Sequence, residues 1–240
     1  MMAVDTSRPF GERLEATTDR YLDRLDNCVT ALPTLVEEYS TDAGYGSTVD
    51  RIQSLESDCD ELKLALGKLV TTADAKEVGL RLTWVHLHAD RMLELYGHLD
   101  TIANVSEQFA EELAAIAPKR VDDCLDGIAR MAELAVAAMA ELEVVVQEFV
   151  RTLCRPEYSA SITQGVSAIR AFEGDSDAVR TRVLETAFDR EHDATAVAYR
   201  QLAVLLDGVL DAMEDVTDQM HLMTGPDTWL DIEIYPEYHY

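Results

Sequence analysis

Apolar residues recur every three or four positions along almost the whole chain, which is the spacing of amphipathic α-helices. In the first such stretch, one stripe is formed by Leu14, Leu22, Leu25 and Val29. Strong helix breakers are few: the chain has six prolines in 240 residues, and only Pro33 lies inside a strongly periodic stretch. A chain with this pattern leaves little room for a sheet, so we predict an all-α fold.

The breakers divide the chain into six predicted helices. They are about Gly11–Tyr39, Thr48–Val70, Asp74 to beyond Ile102, Pro118–Leu153, Ile162–Phe188, and a sixth that ends before Gly225-Pro226. We expect Asn104–Ser106 to interrupt the third helix, and Pro118 suits the first turn of the fourth. The final stretch, Trp229–Tyr240, alternates apolar and polar residues and predicts a short strand or a docked tail.

A nine-residue pattern occurs twice, 117 residues apart. Ile52–Asp60 and Ile169–Asp177 both read I-x-x-[apolar]-E-x-D-x-D. Each is followed by a turn and a helix with a second four-spaced pair, His86–Asp90 in the first half and Asp211–Asp215 in the second. We therefore predict one domain over 1–225, built as two tandem antiparallel three-helix bundles over about 10–116 and 117–225. A short extended tail covers 226–240.

Residues four apart share one face of a helix, so the repeated pattern presents two carboxylates together in each half. With 46 acidic residues in 240 positions, roughly nine such pairs arise by chance. The recurrence of the pair in one apolar frame is what favours a cation site over a solvated acidic surface. The candidate metal ligands are Glu56, Asp60, His86, Asp90, Glu173, Asp177, Asp211 and Asp215.

The formal net charge of −26 excludes some partners. Nucleic acid binding needs clustered Lys and Arg, and anionic lipid would repel this chain for the same reason. The basic residues are four lysines against sixteen arginines. An acidic, Lys-poor surface around an ordinary apolar content indicates a halophilic protein, whose surface repulsion is screened by cytosolic salt.

Other motifs are missing from the sequence. The four cysteines form no C-x-x-C pair, and no catalytic motif is present, so we expect no enzyme activity and no redox site. The first nine residues lack a signal-peptide pattern, and the longest purely apolar run, Leu134–Ala140, is too short to span a membrane. We expect a cytoplasmic protein without direct membrane insertion, peripheral at a membrane only through a protein partner.

At the two repeated patterns the chain resembles the PhoU-like family, and within it the single-chain branch associated with Pit-type phosphate transporters. The segment Leu205–Asp218 is similar to the end of that family's second repeat, and the resemblance covers roughly Phe10 to Met223. It implies two three-helix repeats whose E(D)-x-x-x-D motifs hold iron, zinc or other cations. His86 departs from the pattern, which prefers Asp at that position.

The resemblance also implies a function. The chain is expected to be a regulator or accessory protein of inorganic phosphate transport, with a phosphate transporter or its signalling partner as the protein it binds. A homodimer stays open. Two alternatives stay open as well: a structural interaction bundle without metal, and a di-metal helical oxidase or metal-storage protein. The last needs inward Glu residues and ordered Glu-x-x-His pairs, which the sequence lacks.

Overall fold

The computed structural model describes residues 9–73, 89–155, 157–190, 194–224 and 230–231. This part of the chain contains six helices and one pair of two-residue strands. The helices are α1 Phe10–Ser40, α2 Gly46–Thr72, α3 Ala89–Ile116, α4 Asp122–Cys154, α5 Thr163–Arg190 and α6 Ala194–Thr224, and the strands are β1 Ala160–Ser161 and β2 Leu230–Asp231. The predicted all-α fold of two tandem antiparallel three-helix bundles is confirmed.

The helices pack in two layers. One layer has the order α2, α3, α6, α5, and the other consists of α1 and α4, each of which packs against the helices of its own half. The two halves meet through α1 against α4 and through α3 against α6. The first helices of the two halves therefore pair with each other, and so do the third helices, as expected for a duplicated unit.

Apolar stripes explain why these helices form a common core. Leu22, Leu25 and Val29 of α1 are fully buried, and so are Leu142 and Val146 of α4. Burying side chains of this size stabilises a fold by about 1.5–3 kcal/mol each. Most of the helical stability in this chain therefore comes from packing between helices.

One expected helix break is absent, because α3 continues through Asn104–Ser106. α1 continues through Pro33, as predicted. Inside α3, Ser106 Oγ donates to the carbonyl of Ile102 at 2.7 Å, and Asn104 Nδ2 donates to the carbonyl of Asp100 at 2.9 Å. These polar side chains bond to the preceding turn of their own helix, so they do not end it.

The start of the fourth helix also differs from the prediction. Pro118 lies outside α4, which begins at Asp122 after an extended Val121. Two tyrosines hold the link instead: the Tyr39 hydroxyl donates to the carbonyl of Pro118, and the Tyr199 hydroxyl accepts from Val121 N at 3.0 Å. The link between the two halves is thus anchored by a helix from each half.

The sixth helix ends at Thr224, directly before Gly225, as predicted. Leu230–Asp231 then pairs in parallel with Ala160–Ser161, which joins the tail to the connection between α4 and α5. None of the described helices combines the length and apolar content that a membrane crossing requires.

Candidate functional site

The first repeated carboxylate pair lies at the seam between α2 and α3. Lys63 Nζ donates to Asp100 Oδ2 at 2.5 Å and lies 3.3 Å from Asp60 Oδ1. Asp100 is buried, and Asn104 Nδ2 donates to it at 2.8 Å. Glu56 is buried one turn away on α2. The lysine ammonium thus bridges carboxylates from two helices.

The second pair has the same arrangement at the seam between α5 and α6. Arg180 pairs with Asp177 on its own helix at 2.6 Å and with the buried Asp207 across the seam. Glu173 lies one turn before Asp177, as Glu56 lies before Asp60. A guanidinium therefore occupies in this half the place that the lysine ammonium occupies in the first half.

A second cross-helix contact supports the same correspondence. Gln53 Nε2 donates to Glu111 Oε1 at 2.7 Å, and its counterpart Arg170 donates to Asp218 Oδ1 at 2.6 Å. The positions on α2 and α5 differ by 117 throughout, and those on α3 and α6 differ by 107. Two independent contacts therefore give one register for both seams.

This register corrects the predicted correspondence between the halves. Asp211 and Asp215 match Asn104 and Gln108, and not His86 and Asp90. The sequence carries a signal for the correct match, because Leu99–Glu107 and Leu206–Glu214 both read L-D-x-[I/V]-x-[N/D]-x-x-E. The spacing between the two motifs is ten residues longer in the first half, and the predicted match paired Asp211 with a residue eighteen positions before Asn104.

The predicted ligands are therefore only partly brought together. Glu56 lies near Asp60, while Glu173 and Asp177 lie near Asp211. Asp90 is in the first turn of α3, ten residues and so about 15 Å before Asp100. His86 lies outside the described residues. Asp215 faces the other half, with its Oδ2 3.8 Å from His98 Nδ1.

Four residues that form the ion pairs at the seams are not predicted from the sequence: Lys63, Asp100, Arg180 and Asp207. Lys63 and Arg180 each follow the pattern's last Asp by three residues, and they are 117 residues apart like the pattern itself. Only 20 of 240 residues are basic, so this coincidence was a readable signal.

Burial and neighbouring carboxylates perturb the acidic groups at both seams. Burial, followed by the charges of Asp60 and Asp100, raises the pKa of Glu56. Burial, followed by the charges of Asp177, Glu214 and Asp211, raises the pKa of Glu173. The charge of Lys63 lowers the pKa of Glu56, and that of Arg180 lowers the pKa of Glu173, but neither outweighs burial and the neighbouring acids. Glu56 and Glu173 therefore remain in a region of negative potential.

The resemblance implies metal ions, and the seams allow a test of whether they fit. Carboxylate oxygens are good ligands for hard cations and acceptable ones for iron or zinc. In both seams, however, a basic side chain already bridges the inner Asp and the repeated Asp. Within the described residues, no group of three or more His, Cys, Asp or Glu side chains has a metal-binding arrangement. The seams as built therefore do not fit a metal.

Comparison with known proteins bears on the fold. No protein-family model matches the sequence, and no curated protein matches it. Solved structures do match. One, from Shewanella oneidensis MR-1, is assigned as a PhoU-like phosphate regulatory protein; it superposes with a TM-score of 0.70 at 17% identity, over 88% of this chain and 98% of that chain. The chain has a PhoU-like fold.

A second crystal structure, of a PhoU-like protein from the same organism, superposes with a TM-score of 0.68 at 15% identity. It covers 87% of this chain and 98% of the other. Both structures are matched over nearly their full length, so the shared fold includes both three-helix halves. The sequence-based resemblance to the PhoU-like family agrees with this at the level of fold.

Proposed function

We propose that this chain is a cytoplasmic regulator of inorganic phosphate transport that acts by binding a protein partner. The observation that supports it is the PhoU-like fold, shared over 88% of the chain with a protein assigned as a phosphate regulatory protein. The sequence resemblance adds the Pit-type transporter, or its signalling partner, as the protein bound. The role proposed is regulatory and not enzymatic.

The surface charge restricts the kind of partner. A chain with net charge −26 attracts a basic protein surface and repels nucleic acid and anionic headgroups. No described helix could cross a bilayer, so contact with a membrane transporter would be made through that transporter's cytoplasmic segments. A partner with Lys- or Arg-rich cytoplasmic loops fits this charge.

Metal binding by the repeated carboxylates is not part of the proposed function. It stays a prediction of the resemblance, for Glu56, Asp60, Asp90, Glu173, Asp177, Asp211, Asp215 and His86, with iron or zinc as the expected ion. The seam geometry does not support it, because Lys63 and Arg180 lie where the carboxylates converge. The di-metal oxidase gains no support from the described residues either.

Phosphate uptake in a deletion strain tests the proposal. We expect deletion to change the rate of phosphate uptake or the onset of the phosphate-starvation response, and the wild-type gene to restore both. Unchanged uptake together with an unchanged starvation response would overturn the regulatory role and leave a structural interaction bundle as the better interpretation. Cross-linking in cells, read out on the phosphate transporters of the same strain, tests the partner separately.

A further inference from the structure

We propose that Lys63 and Arg180 are the resident cations of the two repeated carboxylate sites, so that each site is complete without a metal ion. The repeated motif is then longer than the acidic pair: it reads E-x-x-x-D-x-x-[K/R] on one helix and requires a buried Asp on the next. The inference is independent of the proposed role in phosphate transport.

The geometry is the first support. In each half, one basic group contacts an exposed Asp three residues earlier and a buried Asp across the seam. Asp100 and Asp207 are 6% and 4% exposed. A buried carboxylate without a counter-ion costs several kcal/mol, so some cation is needed at both positions. The chain supplies that cation itself, twice, at matching positions.

The chemistry of the two basic groups is the second support. Burial lowers the pKa of Lys63, but its hydrogen bonds to Asp100 and Asp60 and their charges outweigh burial and raise that pKa above its ordinary value. Arginine stays charged at any accessible pH. Both sites therefore hold a permanent cation at neutral pH, and a divalent metal would have to displace it against direct charge repulsion.

Use of both Lys and Arg is the third support. A selected metal site has no reason to keep a positive charge among its ligands, whereas either Lys or Arg can form an ion pair with Asp. The chain is poor in basic residues overall, with 20 against 46 acidic ones. Placing one at the same position of both repeats indicates that the position needs a cation.

The experiment compares wild-type protein with Lys63→Met and Arg180→Met variants, all purified without a metal-affinity tag. We expect the wild type to carry substoichiometric iron, zinc and manganese, and its melting temperature in constant molar KCl, which already screens the surface charge, to be unaffected by stoichiometric Mn²⁺ or Zn²⁺. Each variant should melt about 5 °C or more below wild type, since its buried Asp loses its counter-ion. Added Mn²⁺ should restore part of that loss, because the remaining carboxylates can bind it.

Matched controls separate these effects from general charge changes. Lys68→Met on α2 and Arg182→Met on α5 remove exposed basic residues of the same helices and should leave melting unchanged with and without Mn²⁺. The double variant Lys63→Met/Asp100→Asn should recover most of the Lys63→Met loss, because it removes both members of the pair.

Three results would overturn the proposal. The first is stoichiometric metal in the wild type that Asp60→Asn or Asp177→Asn removes. The second is a Lys63→Met or Arg180→Met variant as stable as its control. The third is a wild-type melting temperature that rises with stoichiometric Mn²⁺ or Zn²⁺ in constant molar KCl. The wild-type measurements decide even if a variant does not fold, and none of them depends on the outcome of the uptake experiment.

Discussion

Two buried hydroxyl groups are left without a hydrogen-bond partner among the described residues: those of Tyr21 and Ser176. Both side chains are fully buried. Tyr21 lies close enough to Cys59, Asp100 and Asp60 for their charges to add to burial in raising its pKa well above the ordinary value. Ser176 is the counterpart of Cys59 in the second repeat. Each half thus buries one hydroxyl group that has no hydrogen-bond partner among the described residues.

An unpaired buried hydroxyl costs about 1–3 kcal/mol of stability. We therefore predict that Tyr21→Phe and Ser176→Ala leave the free energy of unfolding unchanged or raise it by about 1 kcal/mol. Tyr96→Phe is the control, because the Tyr96 hydroxyl bonds Thr18 Oγ1 at 2.7 Å, and it should destabilise by about 1–3 kcal/mol. Urea denaturation measures all three. A loss for Tyr21→Phe equal to that of Tyr96→Phe would contradict the assignment.

At the residue scale, the sequence predicts which acidic pairs recur, but not which side chains of the next helix surround them. Glu56 and Glu173 recur in a fixed apolar frame, so their shared role was readable. The sequence does not distinguish the buried Asp100 and Asp207, because a chain with 46 acidic residues contains many solvated acids on the same helices. Only their burial between two helices distinguishes them. Which residues are buried there depends on the register of the two helices, and the unequal spacing of the motifs in the two halves hides that register.

At the element scale, α4 and α5 approach each other closely at two glycines. A methyl group added at Gly127 would overlap Val183 Cγ2, and one added at Gly165 would overlap Val145 Cγ2. Val is stiff at χ1, so neither neighbour yields freely. These glycines set how near the two helices can lie.

We predict that Gly127→Ala lowers the free energy of unfolding by about 1–3 kcal/mol through overpacking. Gly174→Ala, on α5 with nothing within 4 Å of the added methyl group, should instead raise it by up to about 1 kcal/mol, because Ala is the better helix former. Adding Val183→Ala should relieve the clash and recover part of the Gly127→Ala loss. Equal effects of Gly127→Ala and Gly174→Ala in thermal denaturation would show that α4 and α5 are not closely packed at Gly127.

Helix existence was predictable from periodicity, and most helix ends were predictable within two residues. The failures have local causes. The sequence predicts Pro118 inside α4, but tertiary hydrogen bonds donated by Tyr39 and accepted by Tyr199 hold this link in a non-helical conformation. Asn104 and Ser106 were expected to break α3, but their side chains bond the preceding turn. Such bonds depend on partners that periodicity does not reveal.

At the scale of the whole molecule, the charge of −26 is a destabilising term that salt can screen. Acidic residues also cluster between α1 and α4, where burial and then neighbouring acids raise the pKa of Asp26 and Glu143. We predict that the melting temperature rises with KCl over the molar range, as the halophilic interpretation requires. The dependence should be weaker in Asp19→Asn/Asp23→Asn/Asp26→Asn, which removes three of these charges. A flat salt dependence in the wild type would remove the halophilic interpretation.

The pH dependence of stability follows from the same excess of acid. Burial, followed by neighbouring carboxylates, raises the pKa values of Glu56, Glu107 and Glu173. A carboxyl whose pKa is higher in the folded state holds its proton more tightly there, so the free energy of unfolding falls as pH rises through the window between the two pKa values. That window begins at the ordinary value of 4.5 and extends upward.

We therefore predict that the protein becomes more stable as pH is lowered from 7 towards about 4.5, the reverse of ordinary acid denaturation. Asp42 acts in the opposite sense, because a hydrogen bond from Arg120 lowers its pKa. Its contribution is lost only below its ordinary value of 3.8, so stability should decline again under more acidic conditions. Thermal denaturation at constant ionic strength measures both limbs. In the double variant Glu56→Gln/Glu173→Gln, the increase in stability on acidification should be smaller, because two of the carboxyls that take up a proton are gone. An increase as large as that of the wild type would show that other groups cause it.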